Sequence, residues 1–378
     1  MNRYNMNQNY KICVRCVMDT SALDISFNDE GICHYCTEFL NRSGHIFYEN
    51  QEDKKKRLNA FVTRVKKHGK RKPYDCIVGM SGGVDSSWVL VKTVELGLRP
   101  LAVHMDNGWN SELAQNNIAN LVKGLGIDLY THVIDWGEYR DLMQAFFDAD
   151  VIDIELLYDN AMLAVNFQQA AKFGVNYILS GCNTTSEGMS MPRSWAWHKY
   201  DKRNIRAIAK KFGNVKLNTF PSVGTFDRIW FEVLRNFQWI DFLDYLDYKK
   251  FDAMDELTKH YNYKPYPYKH YESIFTRFYQ GFILPEKFSV DKRRLHLSTL
   301  IVADQMDRVE ALKDLEGLPY HDQQALDDDK NYFLKKMNWT KNQLNDYLER
   351  PLVEHDQYAS ERNLYENLSA IRNKLLTK

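Results

Sequence analysis

Several things are missing from this 378-residue sequence. No apolar run approaches the roughly 18 residues of a membrane-spanning helix, and the opening MNRYNMNQNY lacks the apolar core of a secretion signal. Charge of one sign is missing too, since 50 Lys and Arg balance 50 Asp and Glu. These absences argue for a soluble, cytoplasmic protein without membrane insertion, and they give no electrostatic reason to expect nucleic acid as a partner. Cysteine is scarce, with six in the chain, and without a secretion signal disulfides are not expected. No glycine loop carries the lysine of a GxxxxGK[ST] phosphate loop, which argues against kinase-type chemistry.

What is present begins with the cysteines. Four of the six fall as Cys13-x2-Cys16 and Cys33-x2-Cys36, the spacing of a structural zinc ribbon, with ISFNDEGI between them reading as a hairpin. Four sulfur ligands leave no position for water, so this Zn²⁺ is expected to be structural rather than catalytic. His34, inside the second knuckle, is not needed as a ligand. The charged stretch 49–72 carries Leu58, Phe61, Val62 and Val65 at helical spacing and reads as a linker helix. Its basic end, Lys66, Lys67, Lys70, Arg71 and Lys72, reads as a solvated helix terminus.

The chain is organised around Asp75 to Ser87, DCIVGMSGGVDSS, a short apolar strand running through a glycine pair into a helix. Glycine lets the backbone turn sharply and approach a ligand, and the N–H groups opening the following helix make an anion site. Ser81, Gly82, Gly83, Val84, Asp85, Ser86 and Ser87 are thus the candidate phosphate cradle. The order Ser-Gly-Gly-Val-Asp-Ser resembles the PP-loop of the ATP pyrophosphatase superfamily, which implies ATP as cofactor and cleavage between its α and β phosphates.

Strands expected at 100–105, 129–134 and 176–180, with a possible fifth at 215–220, alternate with helices at 112–125, 138–148 and 162–173. This pattern predicts an α/β fold with a parallel, doubly wound sheet, whose ligands gather at the carboxyl ends of the strands. Asp106 and Asn107 fall there, as do Asp135, Gly181, Asn183 and Glu187. Asp106 suits a ribose or adenine contact or is a plain turn residue; Asn183 and Glu187 suit ATP or Mg²⁺, though loop polarity accounts for them nearly as well. SEGMSMPRSWAWH after the fourth strand reads as irregular, with Arg193, Trp195 and Trp197 as a candidate substrate cover. From 263 to 300, polar residues sit on segments otherwise spaced as core. Lys269, His270, Glu272 and Arg277 form one group, and Lys292, Arg293, Arg294 and His296 another, at a cation density that suits phosphates. Leu326-Asp327-Asp328-Asp329 reads as a solvated turn.

KHYESIFTRFYQGFILPEKF and DKRRLHLSTLI, with the CxxCVMDTS opening, SGGVDSS and HMDNGWNSELA, are similar to the N-acetyl sugar amidotransferases of bacterial surface-polysaccharide synthesis, the WbpG type. The resemblance spans about residues 10 to 310. It implies conversion of an acetamido to an acetamidino group on a UDP-linked sugar, with ammonia from a separate glutaminase subunit of the histidine-biosynthesis type and often a cyclase-like companion. Lys269, Arg277 and Lys292 would neutralise phosphate charge, and His270 or Glu272 would accept the proton shed by ammonia. Independently, residue 2 is Asn, not an amino-terminal cysteine nucleophile, and LSGCNTT around Cys182 lacks the second glycine of a G-x-C-x-G nucleophile turn. No glutaminase is evident in the chain. The expected organisation is a zinc ribbon (1–48), a linker helix (49–72), a PP-loop α/β domain (73–225) and a mainly helical substrate or partner region (226–378). Rival readings are a PP-loop tRNA thiolase, which needs reactive cysteines beyond Cys76 and Cys182, and a non-catalytic zinc-ribbon scaffold.

Overall fold

The structure is a computed structural model that describes residues 10–266 and 272–376, apart from the side chains of 369 and 371–376. Its centre is a parallel five-stranded sheet: β1 (Cys76–Met80), β2 (Pro100–Asp106), β3 (Leu129–Val133), β4 (Tyr177–Ser180) and β5 (Gln238–Asp241), in the order β3-β2-β1-β4-β5. The chain steps outward from β1 to β3 and then returns to the other side of β1. The topological switch point therefore lies between β1 and β4, where open α/β sheets bind ligands.

Alternation along β1 divides the core. Val78 and Met80 face the layer of α2 (Gln51–Gly69), α3 (Val84–Glu95) and α4 (Glu112–Leu125), packing with Phe61, Val65, Val89, Leu90 and Leu121. Ile77 faces the opposite layer of α5 (Trp136–Asp148) and α6 (Leu156–Phe173) and packs with Phe146, Ala161 and Val165. Side chains cap these helices: Ser111 Oγ accepts from Ala114 N at 3.2 Å, and Asp135, whose place at a strand end suggested a ligand contact, accepts from Glu138 N through Oδ1 at 2.9 Å.

The fifth strand is not where alternation in VKLNTF suggested it. Residues 215–220 are irregular because their N–H groups are claimed by carboxylates of α5. Asp141 takes Val215 N at 2.9 Å, and the buried Glu138 takes the N–H groups of Asn218, Thr219 and Phe220 at 3.0–3.1 Å. With those donors spent, no ladder can form. The strand is QWID instead, pairing Tyr177 with Gln238 through Ser180 with Asp241.

The amino-terminal knuckles are sewn into the larger core. Single bridges, Ile12 to Asp19 and Phe27 to Cys33, replace full hairpin strands, and a helix the spacing did not announce, α1 (His34–Phe47), follows the second knuckle. Arg308 donates to the carbonyls of Cys13 and Cys16, both at 2.9 Å, and Ser298 Oγ accepts from Val17 N at 3.2 Å.

The long helical stretch Ile274–Phe288 changes register midway. Pro285 has no N–H to offer, and the turn Tyr279–Ile283 widens to π geometry, with Leu284 N reaching the carbonyl of Tyr279. LDDD is helical as well, inside Gln323–Met337, and its Asp329 is buried rather than solvated. Among the described residues, no helix is long and apolar enough to cross a membrane.

Candidate active site and metal centre

The cysteine centre has one geometry. The sulfurs of Cys13, Cys16, Cys33 and Cys36 all lie within 4.8 Å of one another and are fully buried. Separations of 4.0 Å (Cys13 to Cys36), 3.7 Å (Cys16 to Cys33) and 3.6 Å (Cys33 to Cys36) bracket the edge of about 3.8 Å that tetrahedral Zn–S bonds of about 2.3 Å require. Backbone N–H groups of Met18 and Cys33 point at sulfur from 3.4 and 3.2 Å, as they do around thiolates. The four residues fit structural Zn²⁺.

The cradle sits at the switch point. Gly82 has φ +86°, and a Cβ there would lie 2.8 Å from the carbonyl oxygen of Ala114, so the turn excludes side chains. Ser81 and Ser86 share a hydroxyl contact at 3.1 Å, and Gly83 N donates to Ser81 Oγ at 3.2 Å. Gly83 caps α3, whose first turn faces the opening. From the neighbouring strand, Gly181 presses on this loop so closely that a Cβ would come 2.7 Å from Ser86 N. The hydroxyls of Tyr263 and Tyr266 donate to the carbonyl of Gly82 at 3.3 and 3.1 Å, holding the turn from outside.

A cleft of about 2590 Å³ opens from the cradle, and Ser81, Gly83, Val84, Asp85, Ser86, Asn107, Gly181 and Glu187 line it on the sheet side. Arg193, Glu272, Arg277, Lys292, Arg293 and His296 line it from elsewhere in the chain. Glu272 is brought to the cradle by backbone bonds: Ser111 N donates to its carbonyl at 2.8 Å and Ile274 N to that of Trp109 at 2.9 Å. A Cβ on Gly83 would collide with Glu272 Oε1. Asp85 accepts a hydrogen bond from Tyr248, whose hydroxyl is held protonated by burial and then by the Asp85 charge.

Other candidates have structural partners. Trp195 cannot cover a substrate, because it is buried in the core and donates Nε1–H to the carbonyl of Ser21 at 3.2 Å. Arg294 is paired with buried Asp19 at 3.0 Å and donates to the carbonyl of Val17 at 2.9 Å, so it braces the cysteine knuckle. Arg293 holds Asp291 at 2.7 Å and donates to the carbonyl of Asp314 at 2.9 Å, which ties down a helix end. Asn183 caps a short helix, accepting from Ser186 N at 2.9 Å, while Asp106 accepts from Gly108 N at 2.8 Å as a turn residue. Gly82, Ser87, Asp106, Asn183, Trp195 and Arg294 do not line the cleft. Trp197 is buried and stacked on His355 with centroids 4.9 Å apart, but unlike Trp195 it does line the cleft, as Arg193 does. Lys269 and His270 lie outside the described residues.

Two cleft cations are tightly paired. Arg277 makes a two-pronged contact with Asp329 at 2.5 Å, and Asp329 also accepts from Tyr320 at 2.6 Å. Lys292 Nζ lies 2.6 Å from Glu155, which takes Gln280 Nε2 at 2.9 Å as well. Beside it Lys199 bridges Asp153 and Asp159, both at 2.8 Å. Burial works against its charge, and the two carboxylates more than offset that and hold its pKa up. Glu155, Tyr158, Asp159 and Lys199 all line the cleft. Sequence reasoning missed them; the only signal was acidic residues inside the apolar stretch VIDIELLYDN.

Residues 272–372 match the family described as LPS biosynthesis protein WbpG-like, C-terminal domain. A search of curated proteins finds no match. Among solved structures, NMN synthetase from Francisella tularensis is 15% identical, covering 55% of this chain and 93% of its own, with a TM-score of 0.30. NH3-dependent NAD synthetase from Campylobacter jejuni is also 15% identical, with the same coverages and a TM-score of 0.29. A predicted subunit of tRNA methyltransferase from Methanocaldococcus jannaschii is 13% identical over 49% of this chain and 75% of its own, with a TM-score of 0.27.

Proposed function

We propose that the protein is an ATP-dependent amidotransferase that converts the acetamido group of a nucleotide-linked sugar to an acetamidino group for surface-polysaccharide synthesis. One juxtaposition carries this reading: the Ser-Gly-Gly-Val-Asp-Ser cradle and the WbpG-like region, through Glu272, Arg277, Lys292 and His296, face the same cleft.

An amide carbonyl is a poor electrophile, so its oxygen must first become a leaving group. In the proposed reaction that oxygen attacks the α phosphate of ATP, its bond to phosphorus forms, and pyrophosphate departs with the electrons of the α–β bridge. The product is an O-adenylyl imidate. Ammonia then adds to the imidate carbon, a proton leaves, and AMP departs carrying the former carbonyl oxygen. The cradle N–H groups would hold the pyrophosphate part, and positioning with charge neutralisation would supply most of the acceleration. Mg²⁺ takes one or two carboxylates and draws its other ligands from phosphate and water. Asp85 and Glu187 fit that demand, since both line the cleft and both act electrostatically on the Tyr248 hydroxyl. Bound there, the ion would screen phosphate charge. Glu272, whose Oε1 lies against Gly83 of the cradle, would accept the proton shed by ammonia.

Ammonia would come from a separate glutaminase subunit, with a cyclase-like protein as a further companion. Thiolation is disfavoured, because Cys76 is fully buried in β1 and its thiol is pushed above the usual range by burial. That leaves Cys182 as the one cleft thiol among the described residues. The test is to incubate the protein with MgATP, ammonium and UDP-linked acetamido sugars. AMP, with a sugar product lighter by the difference between O and NH, supports the proposal; ADP, or an unchanged sugar, overturns it.

A further inference from the structure

Away from the cleft, one segment is folded inside out. The short helix Thr225–Ile229 runs on into a π turn, Trp230–Leu234, and Phe231 fixes it to the body by stacking on Phe167 of α6 with centroids 4.8 Å apart. Its charged residues are tucked in. Arg228 and Glu232 pair with each other at 2.8 Å with only 22% and 23% of their side chains exposed, and Arg228 also donates to the hydroxyl of Tyr365 at 2.8 Å. Its apolar residues point out instead: Phe226, Trp230, Val233 and Leu234, at positions i, i+4, i+7 and i+8, are 51–69% exposed. A surface helix ordinarily does the reverse, and contiguous exposed apolar groups mark an interaction site.

Charge beside this stripe is lopsided. From Lys202 to Phe226 the sequence carries six cations, Lys202, Arg203, Arg206, Lys210, Lys211 and Lys216, and no Asp or Glu, in a chain whose charges otherwise balance. On the helix Lys202–Phe212 the inward positions Ile205 and Ile208 are buried, while Arg203, Arg206, Lys210 and Lys211 are exposed. The start of this helix is tied to the start of the apolar segment. Lys202 pairs with Asp227 at 3.1 Å, and Glu361 joins the two, its N–H donating to Asp201 at 3.0 Å and its carboxylate accepting from Thr225 N.

We infer that this face docks on an anionic lipid bilayer, with the cations against the headgroups and Phe226, Trp230, Val233 and Leu234 entering the boundary with the acyl chains. An excess of positive charge calls for an anionic partner. A second copy of this chain is disfavoured, because it would bring the same six cations to the contact. Nucleic acid is anionic as well, but it rewards rings that stack on bases, and Val233 and Leu234 have none. The acyl boundary takes all four side chains, and aromatic and aliphatic groups beside Lys and Arg are the composition of a helix that lies in an interface. Such a contact is peripheral and needs no spanning helix.

The test is co-sedimentation of the full-length protein with vesicles of phosphatidylglycerol mixed with phosphatidylcholine, and with vesicles of phosphatidylcholine alone. The wild type is expected to bind the anionic vesicles about tenfold or more tightly than the neutral ones. Phe226→Ser with Trp230→Ser, and Arg203→Glu with Arg206→Glu, are each expected to weaken that binding about tenfold or more. The same charge reversal at Lys66 and Lys67, exposed on α2, is expected to change it less than about threefold. Equal binding to the two vesicle sets, or to neither, overturns the assignment, and so does a loss at Lys66 and Lys67 as large as that at Arg203 and Arg206. Binding of tRNA without vesicles, or a dimer seen by light scattering that Trp230→Ser dissolves while vesicles stay unbound, overturns it in favour of those partners. Hydrogen exchange of the wild type on anionic vesicles needs no substitution, so a poorly folding variant does not decide the outcome: slowed exchange in 202–212 and 225–234 is expected, and slowing elsewhere alone overturns the placement.

Discussion

The cysteine cage and the glycine cradle are both built from small residues at tight turns, yet one is closed and the other open. In the cage each sulfur is buried, backbone N–H groups point at sulfur, and Arg294 and Arg308 clamp the knuckle from the first turns of two later helices. In the cradle the glycines exclude side chains from one side only, and the other side faces a large cleft. A closed ligand set holds the fold together, whereas an open one can exchange its occupant. The difference assigns stability to one and chemistry to the other.

The sharpest way to break that division is Cys33→Ser. Zinc ligation is worth roughly 10 to 16 kcal/mol in zinc-finger peptides, and here the cage is part of the main core. The variant is expected to lose its metal and its cooperative unfolding, as read by metal content and thermal melting. A metal-free variant that melts like the wild type would make the cage ornamental. Next in size is Asp329→Ala, which removes the two-pronged carboxylate partner of Arg277 at the cleft wall. Breaking one side of a buried pair costs about 3–5 kcal/mol, so urea unfolding should shift by that amount, and a shift under about 1 kcal/mol would show the pair to be solvated. Gly181→Ala asks the converse of the cradle, because its Cβ would push on Ser86 N. Nucleotide affinity should fall at least tenfold, about 1.4 kcal/mol, with a stability loss of about 1–3 kcal/mol from the overpacked contact. A large loss of stability with affinity retained would reverse the roles.

The last test concerns pH. His355 is buried, accepts from Asp153 N at 3.2 Å through Nε2, and is held neutral with its pKa pushed down to about 3, chiefly by burial. Its folded value lies below the unfolded one near 6.5, so the unfolded chain binds the extra proton. The stability it contributes is complete above about pH 6.5 and is lost, by up to about 1.4 kcal/mol per pH unit, as pH falls toward 3. His355→Gln should flatten the dependence of unfolding midpoint on pH between those limits; parallel curves for the two proteins would contradict this.

The cage, the cradle and four of the strands were legible in sequence because each is written locally, in ligand spacing, glycine pairs or apolar runs. β5 was not, since QWID is a short, half-buried edge strand. Val215–Phe220 misled because alternation does not reveal that Glu138 and Asp141, distant in sequence, take its N–H groups. The basic run Lys292-Arg293-Arg294 looked like one phosphate patch. Its members point to three different jobs: Lys292 to the cleft and Glu155, Arg293 to a helix end, Arg294 to the knuckle. Partners of that kind are set by tertiary packing.

The central claim is that the cradle serves to turn a carbonyl oxygen into a leaving group on AMP. It is tested most directly by placing a heavy oxygen isotope in the acetamido group of the sugar and following it by mass spectrometry through one turnover with MgATP and ammonium. The account predicts that the label appears in the phosphoryl group of AMP. Label in inorganic phosphate or retained in the sugar product, or turnover that releases ADP, would contradict it.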